Sequence, residues 1–341
     1  MFKISKLNPI KSKIFEFLTN SFKNSKRIPE NLHEKPELKV LISRPNHRLG
    51  NQLLISPLIQ EICNQYPNSK IDLVVNGGLS NILFSEYKNV NRIINLPKKP
   101  FNNLLKYITQ SIKVISNNYD IAIAACEDSN SSKIFVKLSR ATLKIYDSGS
   151  ENLNKPIHIA KYPVYNFNTV LRPSVSLKTY EYPKLSINLT TQEIEKGKQI
   201  IDIFFKNDKK TICIFTFATR DKCYSKEWWA DFYKKLKMEF SAFNILEILP
   251  MENVSQIDFE CTSYYSKDLR EIASVIENSI VFIGADSGMM HLAAATNTTT
   301  LGLFNVTNPK IYEPYSLKNE AIDTNTIEIN SIINKIRNSV F

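Results

Sequence analysis

The chain of 341 residues holds only five cysteines and four histidines. Cys63, Cys126, Cys213, Cys223 and Cys261 are scattered, odd in number and nowhere spaced as CxxC. That argues against a disulfide framework or a zinc site and for a reducing compartment. His33, His47, His158 and His291 are far apart and form no HExxH, so no metal site is expected. No apolar run reaches the roughly 18–20 residues of a membrane span. No small-residue cleavage site follows an apolar core near the N-terminus, so no signal peptide is expected. The sequence shows no internal repeat, and no RNP, KH or helix-turn-helix pattern that would support nucleic-acid binding.

What is present is enough apolar content, 43%, for two ordinary domains with cores. The formal charge of +11 calls for acidic partners: a phosphorylated substrate, an anionic lipid or nucleic acid. Part of that excess lies in residues 1–30, where Lys3, Lys6, Lys11, Lys13, Lys23, Lys26 and Arg27 face only Glu16 and Glu30. Phe2, Ile4, Leu7, Ile10, Ile14, Phe15, Phe17, Leu18 and Phe22 are interleaved with them. Such a stretch suits the interface of an anionic membrane, or a solvated basic tail.

From Leu38 the pattern alternates between strand and helix. Lys39–Ile42, Ile71–Val75, Arg92–Leu96 and Asp120–Ala125 read as strands. Gly50–Cys63 has helical spacing, with Pro57 expected to kink or shorten it. The segment before the fourth strand carries Leu104, Leu105, Ile108, Ile112 and Ile115 at helical spacing. Pro156–Pro183 shows no clean period and reads as a connection between domains. Thr190-Thr-Gln-Glu193 resembles a capping box. A second series follows: strands Thr211–Phe217, Ile245–Leu249, Ile280–Ile283 and Thr300–Phe304, helices Lys226–Phe240 and Asp268–Glu277, and a closing helix over Thr326–Val340. The expected fold is α/β, two Rossmann-like halves with parallel sheets. The expected boundaries are a basic arm 1–37, a domain 38–170, a linker 171–189, a domain 190–325 and a closing helix 326–341.

One corner concentrates chemistry. The strand ending at Ile283 is followed by Gly284-Ala-Asp-Ser-Gly-Met-Met-His-Leu-Ala-Ala-Ala295. In parallel sheets ligands bind outside the carboxyl ends of strands, where a helix start points free N–H groups at an anion. Ser287 can cap that helix and Gly288 can admit a phosphate to the backbone; an ordinary capped turn has the same ingredients.

This run, with Leu301-Gly-Leu-Phe-Asn-Val-Thr-Asn-Pro309 after it, resembles the donor-site signature of glycosyltransferase family 9, the heptosyltransferases of lipopolysaccharide core assembly. Phe217-Ala-Thr-Arg-Asp-Lys-Cys-Tyr224 before Trp228-Trp229, and the first βα segment Arg44–Ile59, resemble two more of its segments in order and spacing. Asn305 replaces the usual glycine of the late turn, and Tyr224 and Ser225 replace Trp and Pro. The resemblance implies a GT-B fold, with the acceptor held by the first half and the nucleotide-sugar donor by the second. It implies an inverting transfer with neither metal nor cofactor, ADP-heptose being the expected co-substrate and a lipid-linked saccharide the acceptor, on the cytoplasmic face of an inner membrane.

The same resemblance assigns donor-binding roles to Thr219, Arg220, Lys222, Glu252, Asp286, Ser287, Gly288, Met289 and His291. Lys222 and Arg220 would neutralise the leaving diphosphate; Asp286 would orient the corner or contact the sugar and His291 would hydrogen-bond the diphosphate, the alternative for both being to brace the turn. Glu252, just past the strand Ile245–Leu249, reads as a partner of a ribose hydroxyl or as a surface carboxylate. The family's base is an aspartate after the glycine of the first βα turn, and here that position is Asn51. A neutral amide cannot take the proton, so Glu127 and Asp128, after the fourth strand, are the expected substitutes. A family member with another donor sugar, or a relative that keeps the cleft without catalysis, fits the same residues.

Overall fold

The structure is a computed structural model and describes residues 24–25, 28–32, 34–98, 102–126, 129–146, 155–174, 176–177, 179–316 and 318–340. Five strands, β1 (Lys39–Ser43), β2 (Lys70–Asn76), β3 (Val90–Leu96), β4 (Asn118–Ala124) and β5 (Arg140–Ile145), form the first sheet. Its order is β3-β2-β1-β4-β5, and every pairing is parallel. Helices α1 (Leu49–Leu53) and α2 (Ser56–Gln65) lie between β1 and β2, and α3 (Leu79–Leu83) between β2 and β3. α4 (Leu104–Ile115) and α5 (Asn130–Leu138) flank β4, and α6 (Lys161–Leu171) follows β5.

The second half opens with α7 (Thr191–Phe205) and β6 (Thr211–Phe215), then α8 (Lys226–Glu239), β7 (Asn244–Ile248) and β8 (Thr262–Tyr264). α9 (Leu269–Glu277), β9 (Val281–Ala285), α10 (Gly288–Ala294), β10 (Thr299–Phe304), α11 (Pro309–Tyr312), β11 (Glu320–Asp323) and α12 (Ile329–Val340) complete it. The sheet order is β11-β10-β9-β6-β7-β8, again parallel. Every residue of β6, β7, β9 and β10 is buried, as continuous apolar runs in a sheet covered on both faces require. The order of each sheet reverses beside its first strand, between β1 and β4 and between β6 and β9. In folds of this kind the ligand crevice opens at such a switch point.

Several elements differ from the sequence reading. The kink at Pro57 is a full break, with α1 ending at Leu53 and α2 starting at Ser56. Pro156–Pro183 is not a plain connection, because it contains α6. Tyr162, Pro163, Val164, Tyr165, Asn166, Phe167 and Asn168 are all buried, so no polar face marks a period. Pro163 sits in the first turn, where its missing N–H has no helical partner to lose. Of the arm expected over 1–37, residues 1–23, 26, 27 and 33 lie outside the described residues. The rest is anchored, while Glu30, Asn31, Glu34, Lys35 and Pro36 are exposed: Leu32 is buried in the first core, and Ser25 N donates to Lys144 O on β5 (3.0 Å). Among the described residues no helix is long and apolar enough to cross a membrane.

The segment between the halves is laced to both. Gln60 Nε2 donates to Lys184 O (2.7 Å), Ser186 N to Ser56 Oγ (3.1 Å), and Ile187 N to Ala295 O (3.2 Å). Arg270 of α9 holds Ile187 O and Asn188 O at 2.9 Å each and pairs with Glu193, the acid of the capping box that starts α7. The Arg270 guanidinium pulls the Glu193 carboxyl down to about 2. α7 and α9 meet through Gly197, where a Cβ would lie 2.2 Å from Ser274 O. Gly197→Ala is therefore expected to lower stability by roughly 1–3 kcal/mol or more, because a backbone oxygen cannot yield as a side chain can. A urea unfolding midpoint equal to wild type would contradict this packing.

Candidate active site between the two sheets

β6 and β9 register Phe215 with Gly284, so the chain leaves the second sheet at Thr216 and at Asp286 side by side. Asp286 is 5% exposed. Its Oδ2 accepts from Lys222 Nζ at 2.6 Å and also from Thr307 Oγ1. One buried carboxylate thus gathers three loops, those after β6, β9 and β10. Lys222 ends a short 3-10 turn, Arg220–Lys222, which Thr219 precedes without a side-chain capping bond. Thr219 and Arg220 are exposed, and Arg220 has a φ of 60°, left-handed backbone that a non-glycine residue holds only at a cost. Asn305 braces this turn, its Nδ2 donating to Asp221 O (3.2 Å). The glycine expected there is thus replaced by a residue that ties the late turn to the Lys222 loop. Tyr224 and Ser225 are also accommodated. The Tyr224 hydroxyl meets Thr324 Oγ1 at 2.8 Å, and Ser225 caps α8 by accepting from Trp228 N.

Ser287 caps α10, its Oγ accepting from Met290 N (3.3 Å). Gly288 has a steric reason to be glycine. A Cβ on Gly288 would lie 2.9 Å from Leu49 Cβ and 3.2 Å from Gly50 N, and one on Gly50 would lie 2.6 Å from His291 Cδ2. The start of α10 and α1 of the other half meet backbone to backbone, so in this structure Leu49 and Gly50 fill the space beside Gly288. This contact sets Asn51 of α1 next to the corner. Met289 and His291 are buried in the first turns of α10. Glu252 lies apart, exposed in the loop after β7.

Asn51 is half-buried, and its Oδ1 accepts from Arg44 Nη2 (3.1 Å). Arg44 follows β1, is 3% exposed, and donates through Nη1 to Ala125 O (2.5 Å). Among the described residues its Nε finds no partner and no carboxylate pairs with it. Burial lowers its pKa. Glu127 and Asp128, the expected substitute bases, lie outside the described residues. The loop that carries them starts at the Ala125 carbonyl that Arg44 holds. Arg44 and Thr307 were not assigned from sequence, although both lie in the motif segments: which side chain meets Asp286 depends on how two loops fold together. Glu247 was also missed. It is fully buried in β7, where burial raises its pKa, and Oε1 accepts from Thr216 Oγ1 (2.6 Å), tying β7 to the end of β6 from which the Lys222 loop leaves.

Two parallel α/β halves meeting over a cationic corner at the switch points define a glycosyltransferase of the GT-B class. Residues 108–332 match the profile of glycosyltransferase family 9 (heptosyltransferase), and the chain belongs to that family. Lipopolysaccharide heptosyltransferase 3 of Escherichia coli K12 is 22% identical over 286 residues, covering 78% of this chain and 83% of that protein. A glycosyl transferase family 9 structure from Veillonella parvula superposes with a TM-score of 0.69 at 16% identity, covering 89% of this chain and 90% of the other. E. coli heptosyltransferase WaaC with ADP gives 0.66 at 17% identity, over 89% and 100%.

Two histidines at the corner are kept neutral. His158 Nδ1 accepts from Ala160 N (3.2 Å), so Nε2 carries the proton and donates to Glu313 O (2.9 Å). Burial holds His158 at about 4. His291 also lies at about 4, first through burial, with Asp286 opposing and His158, Lys222 and Arg44 adding to the depression. Both folded values lie below the ordinary 6.5, so between 6.5 and about 4 the unfolded chain binds more protons. Stability is therefore expected to fall as pH drops through that window, by at most roughly 3 kcal/mol per histidine. The Glu193 pair is lost only below its unfolded 4.5. Melting temperatures from pH ~7 to ~5 should decline less steeply in His158→Gln and His291→Gln; parallel curves would refute the assignment.

Proposed function

We propose that this enzyme transfers heptose from ADP-heptose to a lipopolysaccharide core acceptor, with inversion and without a metal, while associated with the inner face of an inner membrane. The support for the donor is indirect: solved relatives include WaaC with ADP and with ADP-2-deoxy-2-fluoro heptose. The observation that carries the reading is the Lys222–Asp286–Thr307 corner facing Asn51 and Arg44 across the Gly50–Gly288 contact. In the transfer the acceptor oxygen attacks the anomeric carbon and the bond to the diphosphate oxygen breaks. The leaving diphosphate carries away the electron pair, and its charge is met by Lys222, Arg220 and the capped start of α10. Asp286 aims Lys222, and Asn51 positions the acceptor hydroxyl. The proton goes to Glu127 or Asp128.

A thermal-shift titration tests the donor half. ADP and ADP-heptose should raise the melting temperature of the wild-type chain, because they bind only the folded state. In Lys222→Ala affinity should drop by about 10- to 150-fold, the equivalent of roughly 1.5–3 kcal/mol for a charge-assisted contact. UDP- or GDP-sugars giving the larger shift would transfer the reading to another donor.

The base is tested separately, in turnover with donor and acceptor. Glu127→Gln or Asp128→Asn should lower kcat by about 100-fold or more, the usual contribution of a positioned base. A second reading, a relative that keeps the cleft without catalysis, draws on the Arg44–Asn51 hydrogen bond, which turns the Asn51 oxygen away from proton transfer. It wins if neither loop variant changes turnover while Asn51→Asp raises it by orders of magnitude.

A further inference from the structure

α4 presents to solvent the residues that a sheet-covering helix ordinarily buries. Leu104, Leu105, Ile108 and Ile112 share one face, and they are 55%, 80%, 45% and 54% exposed. The sheet is met instead by Val114 and by Tyr107, whose ring stands edge-on to Phe135 of α5 at 6.3 Å. Leu138, the last residue of α5, adds a further apolar side chain, 42% exposed. Scattered exposed leucines need no explanation, but four on one helix face make a patch.

Charge identifies what covers it. α4 carries Lys106 and Lys113, both exposed, and no acid. The sequence has no Asp or Glu from Tyr87 to Tyr119, and none from Ser129 to Tyr146, which includes Lys133 and Lys137 of α5. An apolar stripe on helices that carry lysines and no acid matches a bilayer interface, acyl chains taking the stripe and anionic headgroups the lysines. Position agrees. α4 runs back from the carboxyl end of β3, so Leu104 and Leu105 lie toward the same sheet edge as Arg44 and Asn51. We propose that α4, with the end of α5, is a docking surface for an anionic membrane, separate from residues 1–30.

Co-sedimentation of the full chain with phosphatidylcholine vesicles, with and without phosphatidylglycerol, tests this without donor or acceptor. A failure of docking and a failure of the transferase reading therefore show separately. The wild-type chain should pellet with the anionic vesicles only. The double variants Leu105→Glu/Ile108→Glu and Lys106→Glu/Lys113→Glu should each lower the partition coefficient by about tenfold or more, with unchanged melting temperature. A chain lacking residues 1–23 should keep a binding component that the α4 variants remove. Full-strength binding by both double variants overturns the proposal. So does a solution dimer that Leu105→Glu/Ile108→Glu splits, which would give the stripe to a second copy of the chain.

Discussion

The carboxylate of Asp286 is where the three donor-side loops become one object. A buried carboxylate must have its lone pairs met, and Lys222 Nζ and Thr307 Oγ1 meet the same oxygen from loops that follow different strands. Lys222 is thereby fixed at the switch point of the second sheet, instead of sampling the solvent as a loop lysine would. Asn305 and Thr324 tie the same loops from behind, through Asp221 O and the Tyr224 hydroxyl. Asn305 and Tyr224 thus serve the same tie.

The second constraint is steric. Where α1 meets α10, a side chain at position 50 would collide with His291 and one at 288 with Leu49, so Gly50 and Gly288 bring the two halves to backbone contact. Asn51 follows Gly50 directly, so its distance from the Ser287 corner is set by that contact and not by its own interactions. The connecting segment, held at Ile187, Asn188 and Ser186 by groups from both halves, keeps the two sheets facing. On the proposed function, an acceptor positioned by Asn51 and a donor held at Lys222 would be presented to each other by the fold itself.

Much of this was legible in the sequence where burial is one-sided or complete over a run. β1, β2, β6 and β9 read as apolar runs, and the Thr190–Glu193 capping box is present as read. α6 was illegible because it is buried all round, and β8 and β11 because three and four residues carry too little pattern. The periodicity of α4 gave the helix, but the outward direction of its apolar face depends on what the helix packs against, which spacing alone does not encode. The corner could be found from its motif. That Gly288 answers to Gly50, and Asp286 to Thr307, needs two distant segments to be laid together.

The charges at the corner give Asn51 a meaning beyond the loss of a base. With His158 and His291 neutral at physiological pH, the buried or half-buried cations that the described residues supply here are Lys222, paired with Asp286, and Arg44, while Arg220 stands exposed beside them. Arg44 is the uncompensated one, buried with Nε unpartnered, and a buried guanidinium in that state is costly until an anion joins it. An aspartate at position 51 would join it permanently. The asparagine accepts one hydrogen bond and leaves the charge, so the counter-ion must come from the loop starting at Ala125 or from the substrate. On the proposed function both sources converge. A carboxylate of Glu127 or Asp128 drawn to Arg44 would stand where a base is needed, and a donor diphosphate entering the corner would meet a guanidinium that an aspartate at position 51 would have neutralised.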